Sequence, residues 1–143
     1  MSARRILLVD DSDNDIELTL SALATCGFSN PIDVVHDGSE ALDFLHCRGA
    51  WAGREAQNPA LVMLDLKMPK VDGLEVLRQI RADENLNTIP VVVLTSSREQ
   101  SDLVRSYKLG VNAYVVKPVD FKQFVEAVHK LGMFWMVFNE PPP

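Results

Sequence analysis

The sequence lacks the features of several common protein classes. Its longest uninterrupted apolar runs are about five or six residues, too short to span a bilayer, and the N-terminal segment turns acidic where a signal peptide would stay apolar. The two cysteines, Cys26 and Cys47, lie far apart and form no CxxC pair, so neither a disulfide framework nor a zinc site is expected. We therefore expect a cytoplasmic protein with reduced thiols and no membrane contact.

Positive charge is scarce as well. The chain has 14 Lys and Arg residues against 20 Asp and Glu residues, a formal net charge of -6, and its basic residues form no visible cluster. A surface of this charge repels phosphate backbones, so we expect no binding to nucleic acid. A glycine-rich phosphate loop of the GxxxxGKS kind is missing too, which argues against a nucleotide enzyme.

The chain does contain enough apolar sequence for one compact domain. Hydrophobic residues make up 47% of the 143 residues and charged residues 24%, a balance typical of a globular domain. We assign residues 1–131 to this domain. Residues 132–143 form a C-terminal tail, in which an apolar block precedes three prolines that stop any helix.

Short apolar runs alternate with stretches of helical spacing along the domain. The runs are mostly continuous, which favours buried parallel strands; they are Ile6 to Val9, Pro31 to Val35, Ala60 to Leu64, Val91 to Leu94 and Ala113 to Val116. Between and after them, apolar residues recur every three or four positions, which predicts five helices. The helical sets are Ile16, Leu20, Leu23 and Ala24; Ala41, Leu42 and Leu45; Leu74, Leu77 and Ile80; Leu103, Val104 and Tyr107; and, after a cap at Asp120, Phe121, Phe124, Val125, Val128 and Leu131.

Five strands that alternate with five helices favour a doubly wound α/β fold. Neighbouring parallel strands need crossover connections, and right-handed crossovers place helices on both faces of the sheet. Among folds of this kind we choose the flavodoxin-like strand order 2-1-3-4-5 for the five-stranded parallel sheet.

Four of the apolar runs end in polar residues. These are Asp10 with Asp11, Asp65, Thr95 and Lys117. Taken one at a time, the acidic residues could cap a helix or form a turn. Because the carboxyl ends of parallel strands meet at one edge of the sheet, we expect all five side chains to share a crevice there, which favours a functional site.

The charges of this crevice favour a divalent cation. Three carboxylates about 5 Å apart repel each other by roughly 3 kcal/mol per pair at an effective dielectric constant of about 20, and Lys117 neutralises only one of them. Because no His or Cys accompanies the cluster, the oxygen ligands favour Mg²⁺ over zinc or copper. A carboxylate, a metal ion, a hydroxyl group and a lysine together suit phosphoryl transfer to the carboxylate, which forms an acyl phosphate.

Four segments carry a family resemblance: "LLVDDSDND", "VMLDLKMPKVDGLEVL", "PVVVLTSS" and "AYVVKPVD". They resemble the signature segments of response regulator receiver domains of two-component signalling, and the likeness covers about residues 4 to 131. This resemblance implies a Mg²⁺-dependent switch that accepts a phosphoryl group from a sensor histidine kinase and is not a turnover enzyme. It also implies that output is a change in protein contacts.

The resemblance implies a role for each residue of the crevice. By this likeness the phosphoacceptor is Asp65, the metal ligands are Asp10, Asp11, Asp65 and the backbone carbonyl of Lys67, the switch pair is Thr95 and Tyr114, and the phosphate-binding lysine is Lys117. The side chain of Lys67 could influence hydrolysis of the acyl phosphate or be an exposed loop lysine, and the sequence leaves both open.

Two further segments are longer or more apolar than the bare fold requires. The segment from His46 to Pro59 is either a solvated loop or a family-specific contact. Together with the tail it resembles the small stand-alone regulators that partner phytochrome-type photoreceptor histidine kinases. The tail either forms a homodimer interface through Phe134, Trp135 and Phe138 or folds back over its own core.

Two other functions remain as alternatives. A constitutive interaction module would keep the crevice but bind its partner equally well with and without phosphorylation. A phosphatase with turnover is disfavoured because Asp65 lacks the DxDxT context of aspartyl phosphatases.

Overall fold

A five-stranded parallel sheet organises the chain in the computed structural model, which describes residues 5–25, 30–55, 57–68, 71–95, 105–106, 108–111 and 113–130. The strands are β1 (Ile6–Val9), β2 (Ile32–Val35), β3 (Leu61–Asp65), β4 (Val91–Thr95) and β5 (Ala113–Val116). Their order is β2-β1-β3-β4-β5, and every neighbouring pair is parallel. The predicted flavodoxin-like sheet is confirmed.

Four helices connect or follow these strands within the described residues. They are α1 (Asp13–Thr25), α2 (Gly38–Leu45), α3 (Gly73–Ala82) and α4 (Phe121–Lys130), with a short 3₁₀ helix at Gly49–Trp51. The predicted set Leu103, Val104 and Tyr107, and Leu131 of the last set, lie outside the described residues, although Arg105, Ser106 and Lys108 are helical. None of the helices in this part of the chain has the length and hydrophobicity to cross a membrane.

The core consists of two apolar layers, one on each face of the sheet. Successive residues of a strand point to opposite faces, so Val62 and Leu64 of β3 join one layer while Leu61 and Met63 join the other. Buried residues of α2 and α3 pack into the first layer, and buried residues of α1 and α4 pack into the second. Helices therefore cover both faces, as predicted.

The two outer strands are less buried than the sequence pattern predicts. Both β2 and β5 contain partly exposed residues, because each is paired on one side only. At the free edge of β5, the side chain of Gln123 pairs with Val116: its Oε1 accepts from the Val116 N–H at 2.9 Å, and its Nε2 donates to the Val116 carbonyl at 3.2 Å.

The long segment after α2 packs against that helix. Trp51 contacts the edge of Phe44 with ring centroids 4.9 Å apart, and the guanidinium of Arg54 lies 4.2 Å from the centre of the same ring. Arg54 also donates to the carbonyls of Phe44, Glu55 and Gln57 at 2.6, 2.6 and 3.0 Å. This segment is therefore partly folded onto α2 rather than a fully solvated loop.

Candidate functional site

The carboxyl edge of the sheet gathers the polar residues that the sequence singles out. Asp10 directly follows β1, Asp65 and Thr95 end β3 and β4, and Lys117 directly follows β5. Asp10, Asp65 and Thr95 are buried, whereas Asp11 is exposed. The Lys117 N–H donates to the Thr95 carbonyl at 2.8 Å, which fixes the backbone of Lys117 beside β4.

The ammonium group of Lys117 lies at the centre of the site. Its Nζ is 3.0 Å from Asp10 Oδ2 and 3.1 Å from Asp65 Oδ2, and it also lies 3.1 Å from Asp15 Oδ2. The ammonium donates hydrogen bonds to Asp15 Oδ2 and Asp65 Oδ2, and its contact with Asp10 Oδ2 is an ion pair. Only 17% of the lysine side chain is exposed, which strengthens these charge contacts by limiting solvent screening. The peptide bond from Lys117 to Pro118 is cis, an isomer that the sequence left open.

Burial and charge shift the protonation of this cluster. Burial and the neighbouring charge of Asp10 raise the pKa of Asp65 to about 7, even though the contact with Lys117 works in the opposite direction. Burial alone would lower the pKa of Lys117, but its contacts with Asp10 and Asp65 raise it above the usual value. The lysine is therefore charged, and this one ammonium group faces three carboxyl groups.

Backbone groups hold the carboxylates in place. The Ser12 N–H donates to Asp10 Oδ1 at 3.0 Å, and the Lys67 N–H donates to Asp65 Oδ1 at 3.2 Å. Because each of these oxygens accepts from a main-chain amide two residues further on, the orientation of both carboxylates is set locally by the loop that follows its strand.

The start of α3 lies directly against the end of β3. Asp72 caps this helix by accepting from the Glu75 N–H at 2.9 Å, and the Gly73 N–H donates to the Leu66 carbonyl at 3.1 Å. A Cβ atom on Gly73 would lie 2.2 Å from the carbonyl oxygen of Asp65, so this close approach requires glycine.

The acidic cluster has the composition of a hard-cation site. Asp10, Asp11 and Asp65 each offer one carboxylate oxygen, and these oxygens lie within 4.8 Å of one another. Asp10 Oδ2 is buried and accepts no hydrogen bond of good geometry from the residues that the structure describes; its contact with Lys117 is an ion pair. A buried anionic oxygen and an all-oxygen donor set fit a cation such as Mg²⁺ or Mn²⁺.

The remaining predicted residues are placed less completely. Tyr114 is 41% exposed on β5, so its ring faces outward, and the side chain of Lys67 is exposed. The predicted interface residues Phe134, Trp135 and Phe138 lie outside the described residues. Cys47 is a free thiol, and Cys26 also lies outside the described residues.

The sequence interpretation missed Asp15. This residue lies in the first turn of α1, where an acidic side chain is expected to cap the helix, and the run "DDSDND" offers several such residues. Nothing in the sequence separates Asp15 from Asp13, because the two differ only once Lys117 lies at the same edge of the sheet.

The fold and this edge together define a doubly wound α/β domain whose acidic cluster and lysine meet beyond the carboxyl ends of the strands. The family model of the response regulator receiver domain matches residues 6–129 of the sequence. The chain therefore belongs to the response regulator receiver family of two-component signalling.

Individual relatives agree with this assignment. The chain is 42% identical over 137 residues to the probable methanogenesis regulatory protein FilR2 of Methanothrix harundinacea, covering 96% of this chain and 86% of that protein. It is 38% identical over 131 residues to the response regulator Rcp1 of Synechocystis, covering 92% and 88%. The solved structure of the bacteriophytochrome response regulator RtBRR has a TM-score of 0.89 at 59% identity, covering 99% of this chain and 86% of that one.

One of the similar structures contains a metal. The Mn²⁺-bound form of Rcp1 matches with a TM-score of 0.76 at 36% identity, covering 98% of this chain and 99% of that one.

Proposed function

We propose that this chain is a phosphorylation-dependent signalling switch in which Asp65 accepts a phosphoryl group from a sensor histidine kinase. The observation that carries the proposal is the position of the Lys117 ammonium, 3.0 Å from Asp10 Oδ2 and 3.1 Å from Asp65 Oδ2, beside an acidic cluster of the right composition for a divalent cation. A buried carboxylate with a fixed lysine and a cation site has the parts that phosphoryl transfer requires.

The reaction forms one bond and breaks another. A carboxylate oxygen of Asp65 attacks the phosphorus of the kinase phosphohistidine, the phosphorus–nitrogen bond breaks, and the imidazole leaves. The product is an acyl phosphate, which water later hydrolyses to return the free carboxylate and inorganic phosphate. The chain thus carries a phosphoryl group and catalyses its own modification, but it is not a turnover enzyme.

The residues around Asp65 prepare it for this step. Lys117 stabilises the ionised carboxylate, whose pKa burial raises to about 7, and it lies close enough to neutralise an oxygen of the incoming phosphoryl group. Asp10, Asp11, Asp65 and the backbone carbonyl of Lys67 would hold Mg²⁺. When bound, this ion supplies positive charge against the phosphoryl oxygens.

Thr95 and Tyr114 would pass the change on to the protein surface. Thr95 is buried at the end of β4, next to β3, where its hydroxyl can turn towards a phosphoryl oxygen. Tyr114 is on the adjacent strand β5 and is 41% exposed, so an inward rotation would alter the surface on that side. In this proposal the two residues are the switch pair.

The kinase partner is proposed to be of the phytochrome type, and the site of action the cytoplasm. Support comes from the 59% identity with the bacteriophytochrome response regulator RtBRR. We further propose that residues 1–131 form the receiver domain and that residues 132–143 form a homodimer interface through Phe134, Trp135 and Phe138. Output is then a contact between proteins, with no role for nucleic acid.

A phosphorylation assay tests the proposal. The chain is incubated with MgCl₂ and either acetyl phosphate or an autophosphorylated phytochrome kinase, and intact-protein mass spectrometry counts the added phosphoryl groups. We expect one group on the wild type and none on Asp65→Asn. Asp72→Asn is the matched control, because Asn also caps helices well, and it should be labelled like the wild type. Equal labelling of Asp65→Asn would refute the role of Asp65.

A further inference from the structure

Lys117 has one partner that stands apart from the other two. Asp10 and Asp65 belong to the cluster that can hold a cation, whereas Asp15 does not. Asp15 Oδ2 nevertheless lies 3.1 Å from Lys117 Nζ, as close as Asp65. Its side chain is 31% exposed, so the ion pair is only partly screened by solvent.

Helix capping does not account for the position of the Asp15 side chain. Ser12 Oγ accepts from the Asp15 N–H at 3.2 Å, which makes Ser12 the N-cap of α1 and Asp15 the third residue of the helix. In a capping box, the side chain at this position accepts from the N–H of the N-cap residue. Here the Ser12 N–H donates to Asp10 Oδ1 instead, and the Asp15 carboxylate accepts from Lys117.

A divalent cation would weaken the other two contacts of Lys117. An ion bound to Asp10 and Asp65 shares their oxygens with the ammonium group and repels it, because both are positive. Asp15 lies outside the cluster, so it does not share its carboxylate oxygens with the ion, and its contact with the lysine is retained. The ammonium can therefore remain at the edge of the site, close to Asp65, after the cation enters.

We propose that Asp15 is a positioning residue, which anchors the Lys117 ammonium so that the site can hold the lysine and a divalent cation together. The inference rests on the proposed function, since it concerns the cation and the lysine that serve phosphorylation of Asp65. It adds a residue that acts through Lys117 and contacts neither the cation nor the phosphoryl group.

Cation affinity provides the first test, and it does not depend on phosphorylation. MgCl₂ is titrated into the chain while the amide NMR signal of Lys67, whose N–H contacts Asp65, is followed. We expect Asp15→Asn to weaken Mg²⁺ binding about fivefold, because the ammonium is no longer drawn away from the cation. Asp13→Asn is the matched control: it removes one charge from the same helical turn at an exposed position and should change the affinity less than about twofold.

A double-mutant cycle separates positioning from a simple charge effect. In a Lys117→Met background, Asp15→Asn should change Mg²⁺ affinity less than about twofold, because the group that it positions is gone. A fivefold loss in both backgrounds would overturn the proposal, since Asp15 would then act as a through-space charge. If Lys117→Met does not fold, Asp15→Glu decides: its longer carboxylate should restore most of the affinity, and a failure to do so would also overturn the proposal.

Phosphorylation rates supply an independent readout. With acetyl phosphate, Asp15→Asn should react about fivefold more slowly than wild type when Mg²⁺ is well below saturation, and at nearly the wild-type rate when Mg²⁺ saturates. A deficit that persists at saturation would refute an effect exerted through cation binding. If the wild type itself takes no phosphoryl group, the proposed function fails, whereas the affinity measurements still decide the role of Asp15.

Discussion

Gly73 and Asp65 meet through close packing of the first residue of α3 on the last residue of β3. A Cβ atom at position 73 would lie 2.2 Å from the Asp65 carbonyl oxygen. Gly73→Ala forces this contact apart, so we expect the free energy of unfolding to fall by about 1–3 kcal/mol. Urea denaturation measures the change. Gly53→Ala is the control, because nothing lies within 4 Å of its added Cβ; equal effects of the two substitutions would contradict the packing argument.

The protonation of Asp65 predicts how stability depends on pH. Burial raises the pKa of this carboxyl from 3.8 to about 7, so the folded chain holds the proton more tightly than the unfolded chain. This contribution to stability is fully present below the unfolded pKa and is lost as the pH rises through 7. Asp65→Asn replaces this carboxyl with an amide that does not titrate, so the variant does not lose stability in this way. The free energy of unfolding of Asp65→Asn relative to wild type should therefore increase with pH.

Thermal unfolding in metal-free buffer with a chelator, between about pH 5 and about pH 8, measures this difference. Asp72→Asn should give a curve parallel to that of the wild type, because the Asp72 carboxylate caps α3 and is not part of the acidic cluster. A stabilisation by Asp65→Asn that stays constant across the range would show that the raised pKa of Asp65 does not govern stability.

Removal of the Lys117 ammonium should destabilise the protein. Lys117→Met leaves the buried Asp10 and Asp65 without their cationic partner, and we expect the free energy of unfolding to fall by about 3 kcal/mol near pH 8. Added MgCl₂ should recover much of the loss, because the cation replaces the missing charge. Denaturant unfolding with and without MgCl₂ checks both effects. Lys122→Met, on the exposed side of α4, should change stability by less than about 0.5 kcal/mol.

Arg54 should matter through its geometry rather than its charge. Its planar guanidinium packs over Phe44 and donates to the carbonyls of Phe44, Glu55 and Gln57, which a lysine ammonium cannot match. Arg54→Lys should lower the free energy of unfolding by about 1–2 kcal/mol. Arg48→Lys, at an exposed ion pair, should cost less than about 0.5 kcal/mol in the same urea titration. A similar cost for both would refute the anchoring of this segment.

The tail is expected to carry dimerisation. Removal of residues 133–143 deletes Phe134, Trp135 and Phe138, so light scattering should show a dimer of the full chain and a monomer of the shortened one. Replacement of these three residues by serine at full length controls for chain length and should have the same effect. An unchanged mass after truncation would place the interface elsewhere.

Much of the fold could be predicted because the strands are continuous apolar runs. The bounds of β1 and β5 agree with the prediction, whereas β3 and β4 continue one residue further, to Asp65 and Thr95. A polar side chain ends an apolar pattern but not a backbone ladder, and both residues still pair with the neighbouring strand. Strand ends at a functional edge are therefore poorly defined by hydrophobicity alone.

The site could be predicted in part for a related reason. Residues at the ends of parallel strands must converge, and Asp10, Asp65 and Lys117 do. Asp15 could not be predicted, because it follows no strand and its carboxylate comes beside the Lys117 ammonium only in the folded chain. The packing of Trp51 on Phe44 could not be predicted either, since an irregular segment has no periodicity that indicates its contacts.

The hydrogen bonds between Gln123 and Val116 limit how the sheet can grow. Both outward main-chain groups of the last β5 residue are already satisfied by an amide side chain of the same molecule. A strand from another molecule cannot extend the ladder there without displacing Gln123 and rupturing two bonds. Edge-to-edge polymerisation through β5 is thereby discouraged.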